Sequence, residues 1–323
     1  MKLNRIVLAA ALALVAAPAL AQTDYPSKPV RIIVPFGPGG AADTLPRLLA
    51  QHLSPIWGQP VVVENRTGAA GNIGMEQGAK AAPDGYTLTS APVGNLAINP
   101  HLYSKLSFDV LKDFTPIVLI ASVQNVLVLN PAVPANNLKE LIAYAKARPG
   151  RLTYGSGGVG TQAHIGGEIF EAMADVHLVH VAYRGVGDSV RDLLGGQVDM
   201  IFAQIPAVKA HVDSGKLRAL GVASPKRSQA LPNVPTIDEA GGFTGFQAVS
   251  WYALVGPAGM PPAVTAKIQS DVAKVIQLPE VRERLQGLGA EPVGSTPAEL
   301  SAAIKADYDR YGTVIKRLGI KAD

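Results

Sequence analysis

A β-branched run that ends at a glycine-dense turn and continues as a helix restricts this chain more than any other feature. Val30-Arg31-Ile32-Ile33-Val34 has the composition of a buried strand, and Pro35-Phe36-Gly37-Pro38-Gly39-Gly40-Ala41-Ala42-Asp43 follows it. From residue 44 to residue 53 apolar side chains recur at helical spacing. Glycines at such a junction let the backbone turn sharply. They leave N–H groups bare at the positive end of a helix, a ready seat for a small anion. The loop carries no nucleophile, no histidine and no metal-ligand spacing. It is suited to holding a molecule, not to transforming it.

The same strand–loop–helix order recurs along the chain. Residues 61–64 read as a short strand, 72–81 as a helix and 86–90 as a third strand, with a loop over 91–95 at its carboxyl end. Apolar runs over 116–121 and 126–129 and a helix over 138–147 come next. A strand over 152–154 then enters a second glycine loop, Gly155-Ser156-Gly157-Gly158-Val159-Gly160, which opens a helix over 161–174. A strand over 176–182, a helix over 186–194 and strands over 200–202 and 219–222 complete this part, with a helix over 206–212 between the last two. A strand over 247–255 leads into helices over 261–277, 279–286 and 297–318, each starting at or near a proline, which is favoured in a first helical turn. The pattern predicts an α/β protein of two lobes, each a mainly parallel sheet covered by helices on both faces. The last helices are expected to return to the first lobe, giving residues 22–122 and 246–323 as a discontinuous lobe 1 and 123–245 as lobe 2.

The amino terminus reads as an export signal over residues 1–21. Lys2 and Arg5 precede an apolar run over 6–17, and Ala19-Leu20-Ala21 supplies the small-x-small cleavage pattern, placing the cut after Ala21. The run is shorter than the roughly 20 residues a membrane helix requires. Cleavage leaves about 300 residues, enough for two lobes with separate cores. The chain contains no cysteine, which excludes disulfides and lipid attachment at the cleavage site. A net charge of +4, two units of it in the signal, gives no support to a nucleic-acid surface. A soluble periplasmic protein, monomeric and without a cofactor, is the expectation.

Catalytic patterns are weak or missing. The sequence has no H-E-x-x-H, G-x-S-x-G or Walker motif. Gly155-x-Gly157-x-x-Gly160 matches a dinucleotide fingerprint, but the acid about 20 residues on, Asp175, precedes the next strand where it should follow it. His177 and His180, three apart on an expected strand, point to opposite faces and cannot chelate one ion. Asp43 suits an N-cap of the helix expected from Thr44, or a ligand contact; His164 is a packed residue or a functional one.

Longer motifs add a family resemblance. They are Tyr25-Pro26-Ser27-Lys28-Pro29-Val30-Arg31, Pro35-Phe36-x-x-Gly39-Gly40-x-x-Asp43, and Val63-Glu64-Asn65-Arg66-Thr67-Gly68-Ala69-x-Gly71-Asn72-Ile73-Gly74. Pro83-Asp84-Gly85-Tyr86-Thr87-Leu88, Tyr154-Gly155-Ser156-x-Gly158-x-Gly160-Thr161-x-x-His164, Tyr183-Arg184-Gly185 and Gly195-Gly196-Gln197-Val198-Asp199 continue it. Across essentially the whole mature chain the sequence resembles the Bug receptors, extracytoplasmic solute-binding proteins of tripartite tricarboxylate transporters. The resemblance implies a type II periplasmic binding protein of Venus-flytrap form, whose lobes close on a small organic carboxylate and present it to membrane permease subunits. It implies that one ligand carboxylate is gripped by main-chain amides of the first loop, here Phe36, Gly37, Gly39, Gly40, Ala41, Asp43 and Thr44. The second loop, here Gly157, Gly158, Thr161 and His164, would complete the grip. Ser90, Asn95, Tyr183, Gln204 and Trp251 are expected at the ligand's far end. A periplasmic ligand sensor without transport is the alternative within this architecture, and an exported NAD(P) enzyme is the alternative outside it.

Overall fold

The computed structural model describes residues 25–287 and 289–321. The export signal expected over 1–21 lies outside them. Along the chain come β1 (Val30–Val34), α1 (Ala41–Trp57), β2 (Val61–Asn65), α2 (Asn72–Ala79), β3 (Thr87–Pro92), α3 (Asn99–Leu102), β4 (Phe114–Val123) and β5 (Asn125–Leu129). Then follow α4 (Leu138–Lys146), β6 (Thr153–Ser156), α5 (Gln162–Ala174), β7 (Val179–Ala182), α6 (Val186–Leu194), β8 (Met200–Gln204), α7 (Ile205–Asp213) and β9 (Arg218–Val222). The last elements are α8 (Ile237–Gly241), β10 (Ser250–Pro257), α9 (Pro262–Gln277), α10 (Pro279–Gly287), β11 (Ala290–Pro292) and α11 (Pro297–Leu318).

Two sheets result. The first has the order β11-β4-β10-β3-β1-β2, with β1 parallel to β2 and β3, and β10 antiparallel to β3 and β4. The second has the order β7-β6-β8-β5-β9, with β6 parallel to β7 and β8, and β5 antiparallel to β8 and β9. The chain leaves the first sheet after Val123 and returns to it at Ser250. Each sheet is mixed where a mainly parallel one was expected, because β4, β5 and β10, the strands that carry the chain between lobes, pair antiparallel with their neighbours.

Burial explains why these strands form. Val30, Ile32, Ile33 and Val34 of β1 are fully buried, as are all five residues of β5. One hydrophobic cluster runs through both lobes. It joins Leu96, Ile98 and Leu102 of the first to Ile165 and Phe202 of the second, with Tyr311 of α11 beside them. The helix starts carry their own signals: Thr161 caps α5 by accepting from the His164 amide, and Thr296 with Glu299 forms a capping box on α11.

Local differences from the sequence reading have physical causes. The first helix begins at Ala41, three residues earlier than expected, so Asp43 is its third residue and Gly40 its N-cap. Residues 91–95, read as a loop, instead end β3 and open a buried π-helical turn, Gly94–Ile98, that continues into α3. Strand β7 begins at Val179, so His177 precedes it, exposed beside Glu171. Asp175 ends α5 in a left-handed conformation, its side chain in solvent, which removes the dinucleotide reading of the second glycine loop.

Candidate functional site

The carboxyl ends of β1, β3, β6, β7 and β8 all open on one cavity of about 670 Å³ between the sheets. Loops at these ends are where open α/β sheets place their ligands. The first lobe contributes residues 36–42 and 92–95, and the second contributes 160–163, 184–188 and Gln204. Asn125, Ser250 and Tyr252 lie where the chain passes between lobes. There Asn125 Nδ2 donates to the Ala248 carbonyl at 2.5 Å and to Ser250 Oγ at 3.2 Å, and Gln204 donates to the Tyr252 hydroxyl.

Two helix amino termini meet in this cavity. Gly39, at φ +95°, turns the first loop into α1 in a conformation L side chains rarely adopt. The Gly39 amide donates to Asp43 Oδ2 at 3.1 Å, while among the described residues nothing accepts from the amides of Ala41 and Ala42. Across the cleft the Gly160 amide donates to His164 Nδ1 at 3.2 Å, and the amides of Gln162 and Ala163 are likewise unaccepted. At Gly160 a Cβ would lie 2.2 Å from Asn99 Oδ1, so only glycine lets the second loop sit this close to the first lobe. Four donors and two positive helix ends thus border a common space whose first-lobe wall is uncharged.

The side chains behind each loop hold it in shape. Asp43 is 3 % exposed and accepts from Arg47 Nε at 2.9 Å, Asn65 Nδ2 at 2.8 Å and the Gly39 amide. Burial acts to raise its carboxyl, but those donors outweigh burial and keep it below the usual carboxylate range. Asn65 Nδ2 also donates to the Phe36 carbonyl at 2.8 Å. Asp43 is therefore the staple of the first loop and neither its cap nor part of the cavity wall. Beneath the second loop Ser156 Oγ accepts from the Gly158 amide at 3.1 Å and lies 2.7 Å from His180 Nε2. The His180 ring lies tilted against that of His164, centroids 4.3 Å apart. Burial and the neighbouring His180 push the His164 ring down to about 3, and burial pushes His180 down to about 4. His164 is a neutral acceptor under the loop, its packed role.

The residues expected at the site divide accordingly. Phe36, Gly37, Gly39, Gly40 and Ala41 line the cavity, as do Asn95, Gly157, Thr161 and Gln204. Asp43, Thr44, Gly158 and His164 lie behind that wall. Ser90 is fully buried and donates to the Ala42 carbonyl at 3.2 Å. That carbonyl is free because Pro46, four residues on, has no N–H to give it. Tyr183 turns its hydroxyl to Asp192 at 2.8 Å, and Trp251 donates from Nε1 to Asp307 at 2.7 Å. Along β10 the side chains alternate, so Ser250 and Tyr252 reach the cavity and Trp251 does not. Sequence reasoning missed Tyr252, Gln162 and the group Arg184, Asp188 and Arg191. The signal for that group was available: Tyr183-Arg184-Gly185-x-Gly187 follows a strand and opens α6, as the first two glycine loops open theirs.

Two α/β lobes with a cavity between the carboxyl ends of their strands define a two-lobed periplasmic binding protein fold. Residues 45–320 match the family described as "Tripartite tricarboxylate transporter family receptor". The protein BugT of Bordetella pertussis is 39 % identical over 95 % of this chain and 94 % of its own length. Among solved structures, the R. palustris protein Rpa4515 with adipate is 35 % identical, covering 92 % of this chain and 99 % of that one, with a TM-score of 0.87. MatC of Rhodopseudomonas palustris with bound malate is 31 % identical over 90 % of this chain and 100 % of that one, with a TM-score of 0.84. The chain belongs to the tripartite tricarboxylate transporter receptor family. It is a solute-binding receptor and not an enzyme.

Proposed function

We propose that this receptor works in the periplasm after cleavage at Ala21, captures a small organic carboxylate between its lobes, and hands it to the membrane subunits of a tripartite transporter. Lobe 1 is taken as residues 22–122 with 246–323, and lobe 2 as 123–245, acting as a monomer. The observation that carries this reading is the pair of opposed helix starts whose Ala41, Ala42, Gln162 and Ala163 amides have no acceptor among the described residues. Adipate and malate, held by two solved relatives, agree with an acid as cargo.

The energetics suffice without a charged clamp in these two loops. Four charge-assisted hydrogen bonds at about 1.5–3 kcal/mol each and two helix termini at about 0.3–2 kcal/mol each sum to roughly 7–16 kcal/mol. Immobilisation and desolvation remove several kcal/mol. A micromolar dissociation constant, about −8 kcal/mol, is within reach. Because the grips belong to different lobes, ligand favours the closed arrangement by its differential affinity, and membrane subunits can read that closure.

A thermal-shift screen of the mature protein against small organic acids, adipate and malate first, tests the proposal, since a ligand raises native-state stability. The screen should select at least one acid, and its fully esterified form should bind far more weakly. Equal binding of acid and ester removes carboxylate recognition.

A further inference from the structure

The last helix is tied both to a crossing strand and to the second grip. α11 packs against residues 94–98, α3 and β4 on the side of the first sheet, and it also touches α5, which covers the second. Its Tyr311 is fully buried and does not line the cavity. The Tyr311 hydroxyl accepts from Gln162 Nε2 at 2.8 Å and from Arg310 Nη2 at 2.6 Å. Arg310 Nε and Nη2 also donate to Asp307 Oδ1, at 3.1 and 2.9 Å, and Asp307 Oδ2 accepts from Trp251 Nε1. One chain of hydrogen bonds thus runs from β10, a residue past its start at Ser250, to the first residue of α5.

Gln162 has two attachments. Its backbone amide is one of the four unaccepted donors at the grips, and its side chain, 5 % exposed, reaches across to Tyr311. Two other side-chain bonds at the seam, Gln204 to Tyr252 and Asn125 to Ser250, involve the crossing strands β5 and β10 themselves. The Gln162 bond lies off those strands, between two helices, where a swing of the lobes about the crossing changes its length. Beside it the lobes touch, for a Cβ at Gly94 would lie 2.9 Å from the Gly160 carbonyl. We propose that Gln162 and Tyr311 form a latch between the lobes, through which Tyr311 governs how long the closed receptor keeps its cargo without touching it. This deepens the carboxylate reading above and rests on it. An anion on the Gln162 amide holds the start of α5 against the first lobe, and the latch holds the same residue from behind. Arg310, fixed by Asp307, takes one lone pair of the hydroxyl and leaves the other for Gln162. Capture begins with the lobes apart, so the latch acts on release of the cargo.

Calorimetry and stopped-flow tryptophan fluorescence with succinate, malate, glutarate, adipate, glutamate and benzoate compare the mature protein with Tyr311→Phe, Gln162→Met and the double variant. Tyr311→Phe removes one hydroxyl and leaves Arg310 its bonds to Asp307, and Gln162→Met keeps the backbone amide, so both should fold. For an acid that the parent binds, each single variant should weaken binding about 3- to 10-fold, the range of one hydrogen bond, through faster release at an unchanged association rate. The double variant should bind no more weakly than the weaker single one, since either change breaks the same bond. A hydroxyl that only stabilises the fold would lower the melting temperature and leave release unchanged. Affinity of Tyr311→Phe within about twofold of the parent, or losses that multiply in the double variant, overturn the latch and leave the carboxylate reading standing. If Tyr311→Phe fails to fold, release from Gln162→Met decides, and a parental rate refutes the latch. Failure of every acid in the parent protein sinks both.

Discussion

Replacing Gly40 by valine tests the main-chain grip with little disturbance elsewhere. Gly40 lies in extended backbone, φ −83° and ψ 169°, and a Cβ built there has no heavy atom within 4 Å. Valine adopts that conformation without strain. It is a poorer N-cap than glycine by about 1 kcal/mol, offset by about 0.4–1 kcal/mol from the smaller entropy of the unfolded chain. The melting temperature should stay within about 3 °C of the parent. The added methyls would occupy the space into which the Ala41 and Ala42 amides point. Denying both bonds to a carboxylate costs about 3–6 kcal/mol, a factor of roughly 10² to 10⁴ in dissociation constant. Calorimetry with the acid selected by thermal shift, run beside a melt of each protein, reads both quantities. A variant with parental stability that binds within about threefold of the parent refutes the first loop as an anion seat.

Other perturbations separate scaffold from site. Ser90→Ala leaves the Ala42 carbonyl opposite Pro46 without a donor and should cost about 1–3 kcal/mol in denaturant unfolding with affinity little changed; intact stability with lost affinity would return Ser90 to the ligand. Asp43→Asn turns an amide toward the Arg47 and Asn65 donors, so stability should fall by about 1.5–3 kcal/mol and binding should weaken with it; parental stability and affinity would dismiss the staple. His164, held neutral with its ring lowered to about 3, sets a pH dependence. Between the ordinary histidine value of about 6.5 and that figure the unfolded chain binds a proton that the native protein does not, so its contribution is complete above about pH 6.5 and shrinks on acidification by up to about 1.4 kcal/mol per unit. Unfolding midpoints from about pH 7 to about pH 5 should fall more steeply in the parent than in His164→Gln, and equal slopes would contradict this.

The parts of this architecture legible in sequence are those coded locally. Gly39, Gly158 and Gly160 mark strand-to-helix junctions because their positive φ demands glycine within a few residues, and Pro297 marks a helix start for the same kind of reason. What sequence could not show depends on distant partners. Ser90 pairs with a carbonyl 48 positions away, and Trp251 with an aspartate 56 positions away. The face that Trp251 presents follows from where β10 begins, and a shift of one residue exchanges it with Tyr252. Asp43 looked like a cap because its type and place permit one. Arg47 and Asn65, from a helix turn and a neighbouring strand, decide otherwise.

A clasp made from peptide groups keeps its donors when a side chain is exchanged, since every residue type but proline carries the same N–H, and it is lost only where a new side chain fills the space those donors face. Descendants of such a receptor are free to vary the far wall, where Gln204 and Tyr252 stand, while the shared end of every cargo stays recognised. New diets then need only a few substitutions in that wall, and the part that grips the acid comes with the backbone.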